Sequence, residues 1–167
     1  VKRANRDHWA VFWREPAEGR IDVAERTLAG RVALVTGATR LRGIGAATCR
    51  ALAARGADVA FSHWSAYDAG FPWAPNAAYS TNDGWEQLDA ATLDAHYAVN
   101  VRATALLCAG FLRRFDGGVG GRIVNLSSGQ GRGPMPNELA YAASKGAIEA
   151  FTVSLSPAAA TRGVTVN

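Results

Sequence analysis

Between Arg31 and Ser62 a valine-rich run, a glycine-bearing turn, an alanine-rich stretch and a second apolar run follow one another without a gap, and that order leaves few ways to fold. The first run, Arg31 to Thr36 (RVALVT), is too short for a buried helix and rich in the β-branched residues that strands favour. Gly37 to Gly45 (GATRLRGIG) is a turn, and Ala46 to Arg55 is a helix that Gly56 stops by supplying a left-handed residue. Ala57 to Ser62 (ADVAFS) then starts a second strand. Two strands joined through a helix must lie parallel, so the segment predicts a βαβ unit with a right-handed crossover.

The rest of the chain continues the alternation. Residues 63–84 are rich in aromatic, proline, asparagine and serine residues and read as loop. From Glu86 to Phe115, Leu88, Leu93, Tyr97, Val101, Ala105, Leu107, Phe111 and Leu112 recur at helical spacing, with a break at Asp89 to Thr92 where a new helix would be capped. One or two helices are expected there. Gly117 to Gly121 (GGVGG) is a flexible turn, Arg122 to Leu126 (RIVNL) a third strand, residues 137–156 a long helix, and Val164 to Asn167 the start of a fourth strand. The pattern predicts an α/β fold, a Rossmann-like doubly wound parallel sheet with helices on both faces. Residues 1–29, with Trp9, Phe12 and Trp13 but no strong period, read as an appendage, and residues 30–167 as one domain. The chain starts at Val1 and stops inside an apolar run, so both ends read as cut.

Composition narrows the function classes. A chain of 167 residues with 49% hydrophobic and 19% charged residues suits one folded domain rather than disorder. No apolar run reaches the roughly 18 residues of a membrane span, and Val1-Lys2-Arg3 does not lead into a secretory signal, so the default compartment is the cytoplasm. The excess of 18 basic over 14 acidic residues is scattered, which argues against nucleic-acid binding. Cys49 and Cys108 sit in alanine-rich helical patterns, as buried free thiols do. His8, His63 and His96 have no metal-ligand spacing, and Asp83, Asp89 and Asp94 stand where helices start and are capped, so no metal is expected. Trp64, Tyr67, Phe71, Trp73 and Tyr79 either line a substrate mouth or cover the core beneath a long loop.

Two constellations carry chemistry. A glycine turn between a buried strand and a helix is a phosphate cradle, because main-chain N–H groups and the helix N-terminus face the anion; Gly37, Gly43 and Gly45 stand where such a cradle needs them. Tyr141 and Lys145, in YAASK, project from one face of a helix one turn apart. A phenol of ordinary pKa near 10 serves as an acid or base near neutrality only when something stabilises the phenolate, and a nearby ammonium does so. Ser128 follows the strand that ends in Leu126, at the carboxyl edge where open α/β sheets bind ligands.

With these residues the sequence resembles the short-chain dehydrogenase/reductase family over about residues 28–167. Its Thr-Gly-x-x-x-Gly-x-Gly turn matches Thr36-Gly37 and Gly43-Ile44-Gly45, with two extra residues between the first two glycines. Its helix asparagine matches Asn100, its serine Ser128, and its Tyr-x-x-x-Lys pair Tyr141 and Lys145. The resemblance implies that Tyr141 exchanges a proton with a carbonyl or alcohol oxygen that Ser128 polarises. It implies too that Lys145 lowers the tyrosine pKa and holds the nicotinamide ribose, and that Asn100 keeps a water for the proton relay. The implied cofactor is NADP, with NAD as the other choice: the second strand ends in Phe61-Ser62-His63-Trp64 without the acid of NAD-preferring members, and Arg42, with Arg40 close by, resembles the basic residue of NADP-preferring ones. Arg40 and Arg42 also fit ordinary loop charges. The subtype of the resemblance is 3-oxoacyl-carrier-protein reductase-like, and the implied partners are a small carbonyl or alcohol substrate and a second copy of the chain. Where the family has helix, strand, helix and a fourth strand ending in Asn-Asn-Ala-Gly, this chain has about a dozen residues and Pro75-Asn76-Ala77-Ala78, Asn76 being the remnant of that cofactor motif. The chain therefore reads as truncated and internally deleted. Loss of a strand beside the first one either leaves main-chain groups open or forces a new pairing. The rival reading is a non-catalytic remnant that keeps the motifs.

Overall fold

Four consecutive residues, Val32–Val35, form the centre of the fold, and their side chains alternate between two separate cores. The computed structural model describes residues 27–38, 43–61, 78–118 and 120–167, and the backbone of 11–13. In chain order the elements are strand β1 (Val11–Trp13), strand β2 (Val32–Val35), helix α1 (Ile44–Ala54), strand β3 (Asp58–Phe61), short helix α2 (Gly84–Gln87) and helix α3 (Ala90–His96). A π-helical stretch (Tyr97–Arg102), helix α4 (Ala103–Arg114), strand β4 (Gly121–Val124), a 3-10 turn (Gly129–Arg132), helix α5 (Leu139–Ala160) and strand β5 (Val164–Val166) follow.

The sheet runs β1-β3-β2-β4-β5. Its last four strands are mutually parallel, as expected, and β1 is an antiparallel edge strand. That edge is a departure from a purely parallel sheet: Val11–Trp13 lies in the segment read as an appendage, yet its backbone pairs with Val59–Phe61 of β3. Leu34, Ala60, Ile123, Val164 and Val166 pack on one side with Cys108 of α4 and Ala159 of α5. Val35 and Val59 pack on the other with Cys49 and Ala53 of α1. Helices thus cover both faces, which is why strands this short and this apolar are stable.

β2 pairs directly with β4, from Val32 opposite Gly121 to Val35 opposite Val124, and Thr36 N–H continues the ladder to Val124 O at 3.0 Å. No main-chain edge is therefore left open between these two strands.

Local signals account for most element ends. Gly56, at φ 93°, closes α1 with its own N–H on Ala53 O at 2.8 Å and Ala57 N–H on Leu52 O at 3.2 Å, a Schellman pair. Asp89 Oδ1 accepts from Thr92 N–H at 2.8 Å and starts α3 at the expected break, and that bond holds the Asp89 carboxyl below its usual pKa. α5 departs from the expected 137–156. It begins at Leu139 and runs through Pro157 to Ala160, and its last turn buries Ala159 in the core.

Candidate active site

β2 leads to β3 on one side while β4 lies on its other side, so the connectivity changes direction between β2 and β4. In an open α/β sheet the crevice beyond the carboxyl ends at that point is the binding site. Thr36 and Gly37 follow β2, and Asn125, Leu126, Ser127 and Ser128 follow β4.

On the β2 side, Gly37 takes φ 74°, open to glycine and strained for other residues. Gly43 caps α1 with no side chain to bond the first-turn N–H groups, and that turn carries no acidic residue. The amides and the positive end of the helix are therefore offered to an anion. A Cβ on Gly45 would stand 2.7 Å from Ala38 Cα and 2.9 Å from both Gly37 O and Leu126 Cδ1, so only glycine lets α1 start this close to the turn. Gly37, Gly43, Ile44 and Gly45 are thus brought together, with the Ile44 side chain exposed. Arg42, Ser62 and Asn76, with Arg40, lie outside the described residues, as do Trp64, Tyr67, Phe71, Trp73, His8 and His63.

On the β4 side, Lys145 is buried, donates from Nζ to Leu126 O at 2.9 Å, and lies 5.7 Å from the centre of the Tyr141 ring. Desolvation lowers the pKa of its amine to about 8. Ser128 follows Leu126 by two residues, and its hydroxyl makes no hydrogen bond among the described residues. Partly exposed Tyr141 and buried Lys145 thus stand next to each other, and the amine is bonded to the segment after β4 two residues before Ser128.

Asn100 sits in the π-helical stretch, where the wider turn interrupts the usual ladder, a feature frequent at functional sites. Its Oδ1 accepts from Tyr79 N–H and its Nδ2 donates to Tyr79 O and to Ser144 Oγ, each at 2.8 Å. Ser144 Oγ donates in turn to Tyr141 O at 2.8 Å. Both amide hydrogens are committed to these partners, and Oδ1 accepts one bond. Asn100 thus joins the Tyr79 segment to the helix that carries Tyr141 and Lys145.

Some structural roles were not read from the sequence. Asn125 is a buried hub: it accepts from Thr36 Oγ1 at 3.0 Å and Cys108 Sγ at 3.5 Å, and donates to Thr152 Oγ1 at 3.0 Å. A lone asparagine inside an apolar strand was the available signal. Asp83 caps in a way spacing does not reveal, since its Oδ2 accepts from Ala140 N–H at 2.8 Å across the fold rather than from its own helix. Cys49 and Cys108 are buried free thiols, as expected, and burial raises both pKa values, that of Cys108 to about 11. Among the described residues no group of three His, Cys, Asp or Glu side chains is placed to hold a metal, and no helix is long and apolar enough to cross a membrane.

The short chain dehydrogenase family profile matches residues 74–167, and the chain belongs to that family. An uncharacterised oxidoreductase of Bacillus subtilis, YjdA, is 40% identical over 181 residues, covering 82% of this chain and 72% of that protein. Because 181 positions exceed the 167 residues here, YjdA has residues inside the matched region that this chain lacks. Two further curated relatives are matched over 37% and 35% of their own length. Among solved structures, the promiscuous reductase LugOII, which catalyses keto-reduction at C1 during lugdunomycin biosynthesis, superposes with a TM-score of 0.63 at 30% identity, over 84% of this chain and 73% of that one. The angucycline C-6 ketoreductase LanV with bound NADP gives 0.64 at 27% identity, over 84% and 71%.

Proposed function

We propose that the chain is a carbonyl reductase or alcohol dehydrogenase of the short-chain type that uses NADP(H). The observation that carries this reading is the placement of Tyr141 against buried Lys145, whose amine is fastened to the end of β4 two residues before Ser128. The α1 N-terminus, whose cap Gly43 offers no side-chain acceptor, the left-handed Gly37 and the space that only Gly45 leaves fit a dinucleotide pyrophosphate. When bound, the nicotinamide supplies or accepts the hydride. The protein's own residues handle the oxygen. Ser128 donates a hydrogen bond to the substrate carbonyl, and Tyr141 delivers the proton to that oxygen, or removes it in the oxidation direction. Lys145 supports the proton transfer through its charge and holds the ribose, while Asn100 fixes the helix and accepts from a relay water. NADP bound in LanV supports the choice of NADP, and Arg42 is the residue that would face its extra phosphate.

Exposed Leu93 and Tyr97 line, with Val101, Ala140, Ala143 and Ala147 and the polar Asp94, His96 and Ser144, a cavity of about 290 Å³, and the exposed apolar side chains at this face support assembly with a second copy.

A second reading, the non-catalytic remnant, is favoured by the residues that YjdA has and this chain lacks. Thermal melting with NADPH, then with NADH, separates the two. A ligand that binds only the folded chain at a hundred times its Kd adds about 2.7 kcal/mol of stability. A rise with NADPH that exceeds the rise with NADH supports the reductase, and no shift with either supports the remnant.

A further inference from the structure

Beyond the bonds of Asn125 to Thr36, Cys108 and Asn167, the strand-end segment that carries Ser128 is tied by four hydrogen bonds to one face of helix α5. Asn125 Nδ2 bonds Thr152 Oγ1 at 3.0 Å, and Leu126 O receives Lys145 Nζ at 2.9 Å. Ser127 Oγ donates to Glu149 Oε1 at 2.5 Å, and Gln130 Nε2 donates to the same oxygen at 3.0 Å. Lys145, Glu149 and Thr152 fall at i, i+4 and i+7, a single stripe of the helix. Ser128 lies between the two residues that Glu149 holds.

The segment needs such a tether. Glycine stands at 129, 131 and 133, and a Cβ built at any of the three would meet nothing within 4 Å, so at these positions no side chain restrains the turn. Glycine-rich backbone loses the most freedom on ordering. A hydroxyl that polarises a carbonyl must nevertheless be held to about half an ångström. An ionised carboxylate accepting from both flanks supplies two charge-assisted bonds across the gap.

We propose that Glu149 is a positioning residue that holds Ser128 in register with Tyr141 and Lys145 by pinning the 127–130 segment to α5. The proposal rests on the site reading above. Glu149 is exposed, so its removal leaves no cavity in the core and the variant keeps its fold.

The test compares wild type with Glu149→Ala and Glu149→Gln in NADPH-dependent reduction of acetophenone, cyclohexanone and ethyl acetoacetate, alongside amide hydrogen exchange of residues 127–132. Glu149→Ala is expected to lower kcat about tenfold or more, as misplacement of a reacting group does, with the KM for NADPH and the Tm unchanged. Glutamine keeps the acceptor oxygen and is expected to restore most of the rate. Exchange over 127–132 is expected to quicken in the alanine variant and not in the glutamine one. Equal kcat in wild type and Glu149→Ala, a glutamine variant as impaired as the alanine one, or unchanged exchange overturns the pin. A wild type that turns over none of the three carbonyls, with exchange still quickened by alanine, overturns the reading of the site and leaves Glu149 a purely structural clamp.

Discussion

Lys145 Nζ lies 5.7 Å from the centre of the Tyr141 ring while bonded to the Leu126 carbonyl at 2.9 Å, so one buried amine links the phenol to the end of the central strand β4. This relationship connects sheet and helix at the point where the chemistry is proposed. It also makes stability depend on pH. Burial lowers the Lys145 pKa from 10.5 to about 8, so between those values the unfolded chain binds the extra proton. The cost of the buried charge is fully present below about pH 8 and fades as pH rises toward 10.5. Lys145→Met removes that cost, so the Tm advantage of the variant over wild type shrinks between pH 8 and pH 10.5. Paired melting curves across that range check it, and a constant difference contradicts it. NADPH-dependent turnover is expected to be lost in the same variant.

Gly45→Ala forces a methyl against the backbone at Ala38 and Gly37 and against Leu126, at 2.7 to 2.9 Å. Two of the three neighbours are backbone and cannot swing aside. The expected loss is about 1–3 kcal/mol, measured by urea unfolding, together with weaker NADPH binding because α1 is displaced from the turn.

Asp83→Ala leaves the Ala140 N–H without the Asp83 carboxylate at the start of the helix that carries Tyr141. Loss of a cap costs about 0.5–2 kcal/mol, and asparagine, which keeps an acceptor oxygen, is expected to recover most of it. Chemical denaturation of the two variants reads the difference, and an alanine variant as stable as wild type contradicts the cross-fold cap.

Cys108 and Cys49 are buried with raised pKa values, that of Cys108 at about 11, so neither presents thiolate to solvent at neutral pH. Iodoacetamide at pH 7.5 is expected to leave both thiols of the native chain unmodified over the time in which it alkylates both in urea. Mass spectrometry decides.

Much of the fold was legible because its signals are local. The runs around Val32, Val59, Ile123 and Val164 are short and apolar, Gly56 and Asp89 mark a helix end and a helix start, and Tyr141 with Lys145 share a helical face. What escaped the sequence depends on partners distant in the chain. β1 exists through backbone pairing with Phe61 to Val59, which leaves no period in three residues, and β2 beside β4 is a choice of neighbour that neither strand's composition encodes. The same holds for Asn125, whose partners come from β2's end, α4 and α5, and for Asp83, whose partner is 57 positions away. The π-helical turn at Asn100 leaves the apolar spacing around it helical, so periodicity alone passed over it.

The measurement that bears most directly on the proposed site is NADPH consumption with acetophenone, cyclohexanone and ethyl acetoacetate by wild type and by Tyr141→Phe. The account predicts carbonyl-dependent consumption by wild type and a loss of about a hundredfold or more in kcat with phenylalanine, as removal of a general acid produces, while NADPH raises the Tm of both chains alike. Equal consumption by the two, or none by a wild type that NADPH stabilises, would contradict it.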